Sequence, residues 1–426
     1  MSLPRILVAV GLGLCTVLSC SAANEQLLLQ YLDDTPMRAG GVWCSAVGVE
    51  QEAQLQLHEY LPPELTVYRW QGGAVPADEP PLPEAQFFAA LEQRTAQLVL
   101  ITALAGHGKT RFADTLEASL CRTRPILRVE GDPEFAQRVR AAKEGDDPVA
   151  DAIAVRLGVT DPAKQAELRG LLDKARWVLL IDSLHDLPPA DRTLVIGHLK
   201  GYIEQHPRNL QTVVLARPNV VRGDELGVFD AVLEIPELSC ARTEAKVQHA
   251  LRSKPRADRF WQWAKATGVD DQARDGAACR YRYLSTFRAV QVGIDAAVAG
   301  GIDKPQAAFD AELALAPQVR VERFTSAFLA SDARKLGIEP ALLVHVAAKL
   351  VASVEPGKAG EATFTVPACA KLVEGVSGLK DREFACERVL GVPLFVQVGD
   401  GQWRLEPGPL GEWLRSTPMA TSAPGR

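Results

Sequence analysis

The chain has 426 residues, 47% of them hydrophobic and 23% charged, with a formal net charge of -6. Those are the proportions of a folded chain of two or three domains, and they exclude wholesale disorder, a collagen-like rod and a polytopic membrane protein. The mildly acidic balance argues against general nucleic-acid binding, which needs a basic face, and against a purely electrostatic hold on anionic lipid.

Residues 1–23, MSLPRILVAVGLGLCTVLSCSAA, place one cation, Arg5, before an apolar run from Ile6 to Ser19 and small residues after it. This is the layout of a secretory signal, with a run too short to span a bilayer comfortably. Val17-Leu18-Ser19-Cys20 resembles a bacterial lipobox, in which Cys20 is lipidated and becomes the mature N-terminus. Cleavage after Ala23 is the competing reading, and a retained, buried N-terminal element in a cytoplasmic protein is a third. A bacterial membrane-anchored lipoprotein, or a periplasmic or exported protein, is therefore expected. The eight cysteines, at 15, 20, 44, 121, 240, 279, 369 and 386, show no C-x-x-C spacing, so a zinc site or a redox dithiol is not expected. In an exported chain some of them pair, and the sequence leaves open which.

Residues 24–85 read as a small α+β region (24–71) followed by a linker (72–85, GGAVPADEPPLPEA), whose Gly, Pro and acidic residues disfavour helix and ladder alike. From 86 to 238 helical patterns alternate with short apolar runs at Leu98–Thr102, Pro125–Val129, Trp177–Ile181, Thr212–Leu215 and Ala231–Ile235. That alternation predicts a parallel α/β sheet, and the wholly apolar Trp177–Ile181 suits a strand covered on both faces. Residues 240–300 read as all-helical. Residues 320–415 begin helical and close on two strands around a Gly-Asp-Gly turn (FVQVGDGQWRL), and 416–426 form a tail.

The most specific motif is Ala103-Leu104-Ala105-Gly106-His107-Gly108-Lys109-Thr110, which fits G-x-x-x-x-G-K-S/T with Ala in the first place. A hydrophobic strand enters it and a helix-forming stretch leaves it, as the phosphate loop requires. Gly106 and Gly108 let backbone amides approach phosphate oxygens, and the helix N-terminus adds a favourable dipole. Lys109 then neutralises the β and γ oxygens, while the Thr110 hydroxyl holds Mg²⁺.

Asp182 ends the apolar strand Trp177–Ile181, where a carboxylate coordinates the same metal; Asp186 is placed to orient the attacking water. Arg217, at the end of LQTVVLARP, is placed to stabilise charge on the γ-phosphate. The plainer readings are a helix cap for Asp182, a loop residue for Asp186 and a surface cation for Arg217.

Together these stretches resemble the STAND class of P-loop ATPases, related to the AAA+ proteins, and within it the NACHT-type nucleotide-binding module. IDSLHDL looks like that family's extended Walker B, LARP like its T-S-R-P, and FVQVGDGQWRLEPGPLGEWL like its winged-helix end. The resemblance implies a P-loop NTPase sheet, then a helical lid (239–315) and a winged-helix domain (316–415). It further implies ATP or ADP with Mg²⁺ as cofactors, and a switch driven by nucleotide exchange or slow hydrolysis. His185 and Asp186 stand where the family has Asp and Glu, and Pro407 stands where it has His, which puts turnover in more doubt than binding. The partners expected are nucleotide, a protein the sequence does not identify, a second copy of the chain, and a membrane reached through a lipid on Cys20.

Two alternatives remain open: an exported, membrane-tethered scaffold with a lapsed nucleotide site, and a winged-helix DNA-binding regulator. The second is disfavoured by the mixture of Lys380, Arg382, Arg388 and Arg404 with Asp381, Glu383, Glu387 and Asp400. An exporting N-terminus and an ATP site also pull apart, because ATP is scarce outside the cytoplasm.

Overall fold

A computed structural model describes residues 22–32, 61–70, 73–74, 81–93, 96–103, 106–120, 124–184, 187–206, 209–217, 225–275, 278–336, 338–355, 362–379, 381–390, 394–399, 402–405 and 409–416. Cys20, Leu104, Ala105, His185, Asp186 and Pro407 lie outside these. The chain divides into a first unit, Met1–Ala103 with Lys109–Pro236, and a second, Leu104–Gly108 with Glu237–Arg426.

The first unit is built on an eight-stranded sheet. Its strands are β1 (Glu64–Trp70), β2 (Gly73–Ala74), β3 (Leu82–Pro83), β4 (Leu98–Thr102), β5 (Ile126–Glu130), β6 (Trp177–Asp182), β7 (Leu210–Ala216) and β8 (Ala231–Glu234). They lie in the order β2-β1-β8-β4-β7-β6-β5, with β3 also on β1. The five strands from β4 to β8 are mutually parallel. Strand β4 sits near the centre, with β7 inserted between it and β6, the arrangement of a P-loop NTPase sheet.

Strands β6 and β7 are buried at every position, the pattern of strands covered on both faces. One face packs on the helix Lys109–Leu120 through Phe112 and Leu116. The other packs on the helices Pro133–Ala141, Pro148–Arg156, Pro162–Leu172 and Pro189–Gln205. Three of those helices start alike: Asp132, Asp147 and Asp161 each precede a proline and accept from the N–H of Phe135, Ala150 and Ala163 at 2.8, 2.9 and 3.0 Å. The caps satisfy amides that the first turn leaves without intrahelical partners.

The N-terminal stretch joins this unit. A helix over 22–32 buries Leu28 and Leu32 among the same apolar side chains, and the Tyr31 hydroxyl donates to the Lys164 carbonyl at 2.8 Å. Strand β1 pairs antiparallel with β8, and β2 and β3 pair with β1. The stretch 72–85, read from composition as a linker, therefore contains ladder pairing. Backbone groups make those bonds, so side-chain composition hides them.

The second unit gathers its helices and its small sheet around one apolar cluster running from Leu238 to Leu414. Its helices include Cys240–Leu251, Lys254–Thr267, Phe287–Ala299, Pro317–Leu336 and Pro340–Ala352. The span 239–315 is not wholly helical: β9 (Gln272–Asp275) and β10 (Ala278–Tyr281) form an antiparallel hairpin there. Cys279 on β10 is disulfide-bonded to Cys240, which ties the hairpin to the first helix.

The C-terminal part is a winged helix. Helices Pro340–Ala352, Val366–Leu372 and Arg382–Leu390 accompany a sheet of β11 (Thr363–Phe364), β12 (Phe395–Gly399) and β13 (Gln402–Leu405), in the order β11-β13-β12. A second disulfide, Cys369–Cys386, joins two of these helices. Among the described residues, no helix is long and apolar enough to cross a membrane.

Candidate phosphate-binding site

The loop between β4 and the helix Lys109–Leu120 has the backbone its sequence requires. Gly106 and Gly108 adopt φ values of +84° and +85°, a region that residues with a side chain rarely enter. A Cβ on Gly106 would lie 2.7 Å from the Arg288 Cβ, and one on Gly108 would lie 3.3 Å from the Phe287 ring. The Gly106 carbonyl accepts from the Arg288 N–H at 2.9 Å. Ala103, which replaces the first glycine of the motif, is fully buried and keeps a negative φ, so its methyl group causes no strain.

Lys109 opens the helix and is only 6% exposed. Its Nζ donates to the Ala103 carbonyl at 2.6 Å, which holds the ammonium group against its own loop. His107 is buried, whereas Thr110 is exposed.

Neighbouring strands bring two further sequence candidates, Arg217 and Asp182, to the same edge of the sheet. Thr102 of β4 pairs with Ala216 of β7, so Arg217 follows directly at the level of the loop, and it is buried. Asp182 ends β6, two strands from β4, at 1% exposure. Carboxyl ends of parallel strands are where open α/β sheets bind ligands.

Asp182 is already engaged. Its Oδ1 accepts from the Ser183 N–H at 2.7 Å, and its Oδ2 accepts from Nη2 of Arg128 on the adjacent strand β5. Arg128 also reaches Asp114 at 2.8 Å, Glu130 at 2.9 Å and Glu117 at 3.5 Å. Asp114 and Glu117 lie on the helix that Lys109 begins, so one guanidinium links that helix to β6. Arg156 adds a second cation, 3.5 Å from Glu117 and 3.4 Å from Glu130.

Burial opposes charge throughout this cluster. It works against the Arg128 cation, but Asp182, Glu130, Glu117 and Asp114 outweigh it and hold Arg128 above its ordinary pKa. Glu117 is pushed up to about 7 by burial, with Arg156 and Arg128 pulling back. Burial also raises Glu130, against the pull of Arg128.

The two strands approach closely just beyond these charges. The Gly131 N–H donates to the Asp182 carbonyl at 2.6 Å, and a Cβ on Gly131 would lie 2.7 Å from the Leu184 Cα. Sequence reading missed Arg128, Asp114 and Glu117. The available signal was a lone cation inside the buried strand ILRVE, where an unpaired guanidinium would be too costly to keep.

The sequence matches no family model and no curated protein. Among solved structures, Cdc6p from Pyrobaculum aerophilum aligns over 76% of this chain and 88% of its own, at 12% identity and a TM-score of 0.36. The Thermotoga maritima RuvB Holliday junction branch migration motor aligns over 76% and 90%, at 15% identity and 0.38. The Aeropyrum pernix ORC1 protein, solved in complex with DNA, aligns over 78% and 90%, at 12% identity and 0.36.

Proposed function

We propose that the chain binds a nucleoside di- or triphosphate at the loop Ala103–Thr110, with ATP and ADP as the ligands that the STAND-like motifs favour. The observation that carries this is the loop itself: two glycines in the left-handed region and a buried lysine folded onto the loop, between a central parallel strand and a helix N-terminus. Those are the elements that bind phosphate by backbone amides, helix dipole and one cation. In this reading Lys109 swings from the Ala103 carbonyl to the phosphates. Arg217 stands at the edge where the γ-phosphate would lie.

The role is that of a nucleotide-responsive switch rather than an efficient ATPase. Asp186, the residue offered for orienting water, lies outside the described residues. Magnesium does not fit Asp182 as the chain is arranged, because both carboxylate oxygens are engaged, one of them by a guanidinium. Thr110 is exposed, and no group of three or more acidic, His or Cys side chains among the described residues is disposed to hold a metal ion. No hydrolytic step is therefore routed through a metal.

A DNA-reading role for the winged helix is disfavoured. Arg388, on its third helix, is 1% exposed and lies 4.7 Å from the Phe384 ring centre, so its charge is spent inside the fold. Export is supported by the secretory-type N-terminus together with the disulfides Cys240–Cys279 and Cys369–Cys386, since such bonds persist mainly in oxidising compartments. Lipidation of Cys20 is the form of export we favour.

Fluorescent ATP and ADP titrated into the purified protein test the nucleotide reading. Saturable binding that Lys109→Ala abolishes supports it; no binding by a folded wild-type protein overturns it and leaves an exported scaffold. Mass spectrometry of the mature N-terminus separates a lipidated Cys20 from cleavage after Ala23.

A further inference from the structure

The Arg128 cluster takes in Asp182, the acid that ends β6. A carboxylate at the end of β6 normally faces the phosphates across a divalent cation, which screens the repulsion between two sets of negative charge. Here the Asp182 carboxylate is screened from the side by Arg128. The guanidinium is itself held by Asp114, Glu130 and Glu117, and it is only 6% exposed. It is therefore a fixed part of the fold, not a surface side chain that drifted onto an acid.

We infer that Arg128 takes the place of the divalent cation beside Asp182, so that nucleotide binding by this chain is independent of Mg²⁺. This rests on the nucleotide reading above. The physical account is charge balance. With Asp182 neutralised by an internal cation, an incoming polyphosphate meets no bare carboxylate. Lys109 and the N-terminus of the Lys109–Leu120 helix then suffice to hold it. The geometry also couples the loop to the cation: Asp114 and Glu117 sit one and two turns beyond Lys109 on the same helix, so Arg128 anchors the element that carries the phosphate-binding lysine.

The experiment is a titration of the full-length protein with fluorescent ATP in excess magnesium chloride and, separately, in excess EDTA, beside Arg128→Gln. Wild-type affinities that agree within about threefold in the two buffers are expected, against the tenfold or greater loss typical when a metal ligand set is broken. Arg128→Gln frees the Asp182 carboxylate, so its affinity should become at least about tenfold tighter in magnesium than in EDTA. Adding Asp182→Asn to that variant should remove the gained magnesium dependence. Asp182→Asn alone, which leaves Arg128 with Asp114, Glu130 and Glu117, is the second variant should Arg128→Gln fail to fold: its affinity should stay the same in the two buffers.

Wild-type binding that needs magnesium overturns the inference and leaves the nucleotide reading intact; it would mean that Arg128 lets go of Asp182 when metal arrives. Absence of binding in both buffers by a folded protein overturns the nucleotide reading and this inference with it. Electron paramagnetic resonance of added Mn²⁺ gives an independent readout. The wild-type protein with nucleotide should show only the Mn²⁺–nucleotide signal, and a protein-bound Mn²⁺ signal that Asp182→Asn removes would also overturn the inference.

Discussion

Each unit of the chain buries arginines, and two of them, one from each unit, are satisfied in opposite ways. Arg128 in the first unit sits among four carboxylates, which hold its pKa up. Arg320 in the second unit is 1% exposed and donates to backbone carbonyls instead: Glu312 and Leu315 at 2.8 Å and Ala266 at 2.6 Å. Burial lowers its pKa, with Glu312 opposing and Arg323 adding to the shift. The carbonyls that Arg320 holds lie at or just beyond the C-termini of two helices, Lys254–Thr267 and Gln306–Leu313, where the last turn leaves carbonyls without intrahelical partners. A guanidinium held by carboxylates sets the charge of the groups around it, and one of those groups is the acid at the candidate site.

The difference predicts unequal costs. Arg128→Met removes the cation from four buried or half-buried carboxylates, of which only Glu117 and Glu130 keep Arg156, and breaking a buried pair in this way should cost about 3–5 kcal/mol. Arg320→Met strands only carbonyls, and a loss of about 2 kcal/mol is expected. Denaturant unfolding of the two variants decides the matter; equal losses would show that the carboxylates around Arg128 find water or protons once the cation is gone.

The units differ also in covalent support, since the disulfides seen among the described residues both lie in the second. Cys240 and Cys279 are 39 residues apart, and a cross-link of that span stabilises by about 3–4 kcal/mol on chain-entropy grounds. Mild reductant should therefore lower the melting transition of the second unit and leave that of the first in place. A single transition that moves as a whole would mean the units unfold together.

Protons probe the first unit as reductant probes the second. Burial pushes Glu117 up to about 7 in the folded chain, from an ordinary value of 4.5, so between those values the folded state keeps a proton that the unfolded state has released. A raised acid contributes most below its unfolded pKa, and that contribution is lost as pH rises through the folded value. Stability of the first unit should accordingly increase by up to about 2–3 kcal/mol as pH falls from about 7 towards 4.5. His198, lowered by burial, pulls the other way below its ordinary pKa. Glu117→Gln should make the pH profile shallower, leaving the slope that Glu130, raised in the same direction, still supplies. An unchanged profile would assign the proton elsewhere in the cluster.

The same contrast explains what could be read in advance. The loop Ala103–Thr110 and strand β6 were legible, because a motif of fixed spacing and an apolar run each leave a local signature. The winged-helix hairpin β12–β13 was legible for its Gly-Asp-Gly turn. Arg128 was not, since a cation in a strand reads as a surface residue until its four partners are known, and they come from three separate elements. Nor was the β9–β10 hairpin, although Asp275-Gly276 is a turn signal; helical patterns on both sides outweighed it. The pairing of Cys240 with Cys279 and of Cys369 with Cys386 depends on contacts that no spacing rule supplies.

The smallest expected effect lies next to Asp182. Ser183 has a φ of +63°, one of two non-glycine residues in the positive region among those described. A side chain costs about 1–2 kcal/mol there, and such strain persists only where the surroundings impose it. What imposes it is visible: this conformation turns the Ser183 N–H onto the Asp182 Oδ1 while Arg128 takes Oδ2, so the carboxylate is gripped from both ends. Ser183→Gly removes the strain and keeps the N–H, but it also loosens the unfolded chain by about 0.4–1 kcal/mol. The balance is a gain of roughly 0.5 kcal/mol, measurable as a small rise in the denaturant midpoint with an unchanged slope. Ser183→Val should lose about 1–2 kcal/mol, because a β-branched residue tolerates that backbone least. If the glycine variant is instead the less stable of the two, the serine hydroxyl rather than the backbone amide secures Asp182, and the grip on the carboxylate is a side-chain device that the first unit shares with Arg128.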